Sequence, residues 1–341
     1  MLLNGRRIGA HLPLGSGMVK AADRAAEIGA SAIQLFSDNP TSWRRRPALP
    51  DELPAFRERL AAHGVAPIAI HAPYLVNLAG PEPAFFEKSV SVMVNELRVA
   101  EAYGASFVNV HIGSHRGEGV EAGIRRLAEG IEQVFALSDG TAPDVTLVLE
   151  NGPGGGFGLG TTVEELWRIE EAVTGAGVRP ERFAYCLDTA HLWGAGHAID
   201  TADGVDEVVA AFDDALGLDR LRMIHLNDSR SELGSRSDRH EHVGAGRIGG
   251  EGLRRVVEHP DLAHVTYYLE TPGMEDGYDA VNLDRVRDLV AGRPLAPLPP
   301  EAFATRSAKG RSAPADPDAE PWGGRGRDRG ERPGRPPKRR Q

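Results

Sequence analysis

One alternation runs through the first 300 residues. A short apolar run rich in β-branched or aromatic residues is followed by a longer amphipathic stretch, and the pair recurs eight times. The apolar runs are RIGAHL, SAIQLF, APIAIH, FVNVHI, VTLVLE, FAYCLD, LRMIHL and VTYYLE. Between them lie helical patterns such as MVKAADRAAEIG, ELPAFRERLAAHG and SVSVMVNELRVAEAYG. These close on Gly29, Gly64 and Gly104, the residue type that tolerates a left-handed helix cap. Runs as apolar as VTLVLE suit strands covered on both faces of a parallel sheet. Eight strand–helix units in succession predict an α/β fold, a (β/α)8 barrel spanning residues 1–300 as a single domain. A doubly wound open sheet is the fallback, but no GxGxxG follows the first run.

In such a barrel, chemistry gathers at the C-terminal ends of the strands. Those ends carry His11, Phe36, His71, His111, Glu150, Asp188, His225 and Glu270, and from the third onward every one is His, Asp or Glu. Any one alone reads as a core histidine or a helix-capping carboxylate. Six in succession around one mouth read as a ring of ligands.

Carboxylates packed this close repel, and one of them would have to protonate. Divalent cations remove that cost, and mixed imidazole and carboxylate ligation suits Zn, Mn or Fe rather than Mg or Ca. Six ligands exceed the needs of one four-coordinate ion. Two ions sharing a bridging carboxylate would use them, an arrangement suited to activating water against a phosphate. The loop after the seventh run, GSRSDRHEHVGAGRIG, adds Asp238, His240 and His242. Asp238 and His240 alternate, so an extended segment directs both to one side. His191 lies three residues past Asp188, within reach of a first helical turn. Asp238, His240 and His191 form a three-ligand set with an open position, a third metal site.

Charge bears on the partner. The chain carries −10 overall, yet residues 305–341 hold 11 Lys/Arg against 5 Asp/Glu, leaving 28 against 44 in the rest. An acidic body argues against nucleic acid unless bound cations offset it. The Gly/Pro/Arg-rich stretch 305–341 has too little apolar content to fold and is expected to be a disordered basic tail, either solvated or touching phosphates. The single cysteine, Cys186, excludes an intramolecular disulfide, reads as a buried inert thiol and fits a reducing, cytoplasmic location. No apolar stretch approaches the length of a membrane helix, and MLLNGRRIGAHLP lacks an apolar signal core.

On the motifs HAPYLVNLA, NVHIGSH, LENGPGGG, CLDTAHLWGAG, MIHLNDSRSELGSRSDRHEHVGAGRIG and YYLET, residues 6 to 292 resemble the endonuclease IV family of apurinic/apyrimidinic (AP) endonucleases. The resemblance implies a barrel holding three Zn2+, with Mn2+ accepted by the same ligands. It implies hydrolysis of the phosphodiester 5′ to an abasic site in double-stranded DNA, leaving a 3′-hydroxyl and a 5′-deoxyribose phosphate, and cleaning of blocked 3′ ends. His71, His111 and Glu150 would hold the first ion. Glu150, the catalytic bridge, would share the second with Asp188, His225 and Glu270, and His191, Asp238 and His240 would hold the third. Tyr74 matches a family residue that contacts DNA. His115 and His242 fall outside the set, and His115 reads as a supporting or phosphate-side group.

The sequence departs from the family after the second strand, where FSDNPTSWRRRP places Asp38 and Thr41 at positions that carry basic or polar DNA-penetrating residues. Trp43 and Arg44, with Arg45 and Arg46 behind them, are the candidate replacements, and a monomer is the expected state. Sugar isomerases and epimerases share this barrel and a single-metal Glu-Asp-His-Glu set. Glu150, Asp188, His225 and Glu270 alone do not separate the two readings, whereas the other five ligands favour the nuclease.

Overall fold

Every apolar run becomes a strand. The first seven are β1 (Arg7–His11), β2 (Ala32–Leu35), β3 (Ile68–His71), β4 (Phe107–His111), β5 (Thr146–Glu150), β6 (Phe183–Asp188) and β7 (Leu221–His225). A small antiparallel pair, β8 (Asp228–Ser229) and β9 (His240–Glu241), precedes the last barrel strand, β10 (Thr266–Leu269). The computed structural model describes residues 2–138 and 140–304, so the expected tail lies outside the described residues. The eight long strands pair in parallel and close in the order β1-β10-β7-β6-β5-β4-β3-β2, which removes the open-sheet alternative.

Outside the barrel stand α1 (Met18–Glu27), α2 (Leu53–His63), α3 (Pro83–Tyr103), α4 (Val120–Leu137), α5 (Val163–Gly175), α6 (Thr189–Ala195), α7 (Ala202–Leu216), α8 (Gly249–Glu258) and α9 (Tyr278–Val290). Gly64 and Gly104 end α2 and α3 at φ 67° and 68°, as left-handed caps. Among the described residues no helix is long and apolar enough to cross a membrane.

Strand alternation then decides where the polar residues go. Ala32, Ala69, Val148, Cys186, Met223 and Tyr268 form one buried cluster with Phe107 packed against it, the floor of the barrel interior. Side chains repeat every second residue along a strand, so two positions beyond each floor residue the chain again faces inward. Those positions are Gln34, His71, Asn109, Glu150, Asp188, His225 and Glu270. An apolar layer thus carries a polar one directly above it, and water is excluded from below. Cys186 belongs to the floor, where burial pushes its thiol up to about 12, the inert form. Gly9 lets β1 and β2 close, since a Cβ there would sit 2.2 Å from the Ala32 carbonyl oxygen.

Candidate metal centre

The polar layer draws its side chains to contact distances. Glu150 divides its carboxylate between two sides: Oε2 lies 3.5 Å from Nε2 of both His71 and His111, while Oε1 lies 3.3 Å from His225 Nδ1. His225 Nδ1 is also 3.3 Å from Glu270 Oε2 and 3.9 Å from Asp188 Oδ2. Asp188 Oδ2 continues to His240 Nε2 at 3.4 Å. Asp238 reaches His240 Nε2 at 3.1 Å and His191 Nε2 at 3.4 Å, from the open side. The structure brings all nine sequence-selected ligand positions into one chain of contacts. Three subsets each lie with their donor atoms within 4.8 Å of one another: His71, His111 and Glu150; Glu150, Asp188, His225 and Glu270; and Asp188, His191 and His240. Asp188 therefore stands between the second and third groups, as Glu150 stands between the first and second.

Donors bonded to one ion at about 2.0–2.1 Å in a tetrahedron are separated by about 3.3 Å. The spacings here are the edges of such polyhedra. Moreover, Glu150 Oε1, His191 Nε2, His225 Nδ1 and His240 Nε2 are buried with no hydrogen bond, which is costly unless a cation completes them. The residues fit divalent metal.

The far side of each ring explains why these nitrogens face inward. Nδ1 of His71 donates to the Ala72 carbonyl at 2.7 Å, that of His191 to the Asn151 carbonyl at 2.8 Å and that of His240 to the Glu270 carbonyl at 3.0 Å. Each leaves Nε2 as the ligand atom. His225 is reversed: Nε2 donates to Gln34 Oε1 at 3.0 Å, so Nδ1 faces the site. Gln34 Nε2 in turn donates to Glu270 Oε1 at 2.6 Å and approaches His11 Nδ1 at 3.1 Å. Asn109 donates to Glu150 Oε2 at 2.5 Å, and Asn227 donates to Asp188 Oδ2 at 2.7 Å while accepting from the Glu270 N–H at 2.8 Å. Gln34, Asn109 and Asn227 were not selected from the sequence. The signal was present in two of them, since SAIQLF and FVNVHI each place one amide inside a buried strand.

Charge balance points the same way. Burial opposes ionisation of Glu150, but the imidazoles of His225 and His111 outweigh it and hold its carboxyl well below the ordinary range. Glu270 is likewise held low, against burial, by His225 and His11. Burial works against charge on His191 too, yet Asp188 and Asp238 push it up to about 10. Burial opposes charge on His240 as well, yet Asp238 and Asp188 raise it, so positive charge is favoured beside these carboxylates.

Asp188 Oδ1 accepts the His191 N–H at 2.9 Å as the N-cap of α6, which fixes the spacing read from DTAH. The loop bearing Asp238 descends onto α6 at Gly194, where an added Cβ would lie 3.0 Å from the Ser237 carbonyl oxygen. Tyr74 is exposed beside the site, its ring centroid 6.0 Å from His71 and 6.5 Å from His111. Trp43 is half-buried against Phe85 under Lys88, and Arg44 is exposed. His115 Nδ1 accepts the N–H groups of Gly117 and Gly119 at 3.2 and 2.9 Å, closing its own loop.

The family model described as xylose isomerase-like TIM barrel matches residues 22–290. A relative from Methanoculleus marisnigri named "Probable endonuclease 4" is 40% identical over 282 residues, covering 83% of this chain and 98% of its own. Another of that name from Halorhodospira halophila is 41% identical over 285 residues, covering 84% and 94%. The crystal structure of endonuclease IV from Thermus thermophilus superposes with a TM-score of 0.73 at 38% identity, covering 84% of this chain and 99% of that one. A D-tagatose 3-epimerase-like protein shares the fold alone, at a TM-score of 0.61 and 17% identity over 84% of this chain and 97% of that one. With identity at this level over nearly the whole length of its relatives, the chain belongs to the endonuclease IV family.

Proposed function

We propose that the protein is a DNA-repair hydrolase that cuts the phosphodiester 5′ to an abasic site in duplex DNA. It leaves a 3′-hydroxyl and a 5′-deoxyribose phosphate, trims blocked 3′ ends, and does so with three bound metal ions. The observation that carries this reading is the series of three linked ligand groups, the second and third of which hold buried donor atoms without a hydrogen bond. His71, His111 and Glu150 would hold one ion, and Glu150, Asp188, His225 and Glu270 a second. His191, Asp238 and His240 would hold the third, with Asp188 at its inner edge. Zinc suits these donors, and manganese accepts the same set. When bound, divalent ions supply an activated water at neutral pH and offset charge on a departing oxygen.

The chain's own residues do the rest. The apolar floor keeps water from entering beneath, and Gln34, Asn109 and Asn227 hold the carboxylates in register. Three divalent ions set against four carboxylates would leave the mouth positive within an acidic body, which meets the charge objection. An abasic nucleotide has no pairing to lose, so drawing it into this mouth is less costly than flipping a paired base. Tyr74, Trp43 and Arg44 are the residues offered for DNA contact. Residues 305–341, outside the described residues, are proposed to be a basic arm that adds non-specific phosphate affinity.

The sugar-enzyme alternative would use the group Glu150, Asp188, His225 and Glu270 alone. It leaves His71, His111, His191 and His240 without a role. A duplex with one abasic site, incubated with zinc-loaded protein and with a chelated control, tests the proposal. The expected result is a single cut on the 5′ side with an extendable 3′ end, lost on chelation. Intact DNA under zinc-loaded conditions would overturn it.

A further inference from the structure

Of the two histidines in the HEH stretch, His240 faces the metal centre and His242 turns away from it. The His242 ring is fully buried and both nitrogens are used. The Asn282 amide on α9 donates to Nδ1 at 2.9 Å, and Nε2 donates to the Ala302 carbonyl at 3.0 Å. The direction of these bonds is set from outside. Asn282 Oδ1 accepts the Val243 N–H at 2.9 Å and Nδ2 also donates to the Tyr278 carbonyl at 2.8 Å, so the amide cannot turn over without losing both. Tyr278 and Phe303 flank the ring at centroid distances of 5.1 and 5.9 Å.

Two residues earlier the chain must deliver His240 to Asp188 and Asp238. Before it, the exposed residues 232–236 are tied to α6 through the Gly234 and Arg236 N–H groups, which donate to the Trp193 and Gly194 carbonyls at 3.0 and 2.9 Å. β9 itself is paired with β8 and held by the Arg230 guanidinium on the His240 carbonyl at 2.7 Å, and on the side that follows His240 the chain is anchored by the His242 ring. We propose that His242 is a positioning residue for the third metal group, and that the short helical segment Pro300–Ala304 is thereby part of the metal centre's support. The inference rests on the three-ion reading above. Groups that orient a metal ligand typically change affinity by about 10- to 100-fold when removed.

The test is a zinc titration of the full chain against a competing chelating dye, with unfolding followed in parallel. Wild type should hold three ions and His240→Ala should lose one. If either fails, the three-ion reading falls and this inference with it. Granted both, His242→Ala should weaken only the ion that His240→Ala loses, by about 10- to 100-fold, and leave the other two unchanged. His242→Gln, whose amide can still donate to the Ala302 carbonyl, should recover most of that loss. A His242→Ala protein that binds all three as wild type does, or weakens all three alike, overturns the positioning role while leaving the function intact. Should His242→Ala not fold, Asn282→Ala decides by the same readout.

Discussion

Two regions border the same mouth and are built on opposite principles. The arc of strand ends from β3 to β10 takes its geometry from sheet register, with one inward position per strand and each carboxylate braced by an amide from a neighbouring strand or loop. The loop between β2 and α2 takes its geometry from itself. Arg45 donates to the Asn39 and Ser42 carbonyls and meets the buried Glu96 at 3.3 Å. Asp38 accepts the Arg46 N–H at 2.7 Å, and Asn39 accepts the Thr41 N–H at 3.0 Å. The Arg46 guanidinium also stands 3.7 Å from Asp38, so two of the three arginines hold the loop, and Arg44 alone among them is exposed without a side-chain partner among the described residues. A chain can vary such a loop while keeping its metal centre, because the loop carries its own scaffold.

The strand-end arc is broken most severely at its shared carboxylate. Glu150→Gln removes the negative charge common to two groups, and activity on abasic DNA should fall to background with metal lost from both. A variant with full metal content and full activity would show that Glu150 does not bridge. A smaller effect is expected one layer out. Asn227→Ala frees Asp188 Oδ2 and the Glu270 N–H, and metal affinity or turnover should drop by about 10- to 100-fold without loss of the barrel. Wild-type affinity in this variant would mean that register alone suffices.

These outer amides mark the limit of what the sequence discloses. The barrel was legible because eight apolar runs repeat, and the ligand positions because His, Asp and Glu end successive runs. Gln34 was not, since its role depends on Glu270, 236 residues away, and on closure of β1 against β10. Asp188 was read as a ligand of one group because strand order does not reveal how far the β7–α8 loop descends. That depth is set by Gly194 and by the pairing of β8 with β9, two residues each, too short to leave a periodic signal.

In the self-scaffolded loop, stability and binding fall to different arginines. Arg45→Ala leaves the buried Glu96 carboxylate without its cation, with only the Ser37 hydroxyl donating to it, and should cost about 3–5 kcal/mol of stability, visible as a lowered Tm. Arg44→Ala should leave Tm unchanged, raise KM for abasic duplex and reduce the salt slope of binding by about one. The reverse pattern would exchange the roles of the two arginines.

Proton linkage gives a further, smaller effect. His191 is raised to about 10 from 6.5, so its protonated form contributes to the metal-free fold fully below about pH 6.5 and loses that contribution as pH rises through about 10. Metal must displace this proton. Loading should therefore release protons and tighten as pH rises within that window, as calorimetry in buffers of different ionisation enthalpy would register. Loading with no proton released would contradict the linkage.

The number of ions per chain separates the nuclease from the sugar enzyme most directly. Native mass spectrometry of the zinc-loaded chain should show three per chain, falling by one in His191→Ala. A single ion per chain, unaffected by His191→Ala, would contradict the three-ion centre and return the barrel to the one-metal sugar enzymes that share its fold.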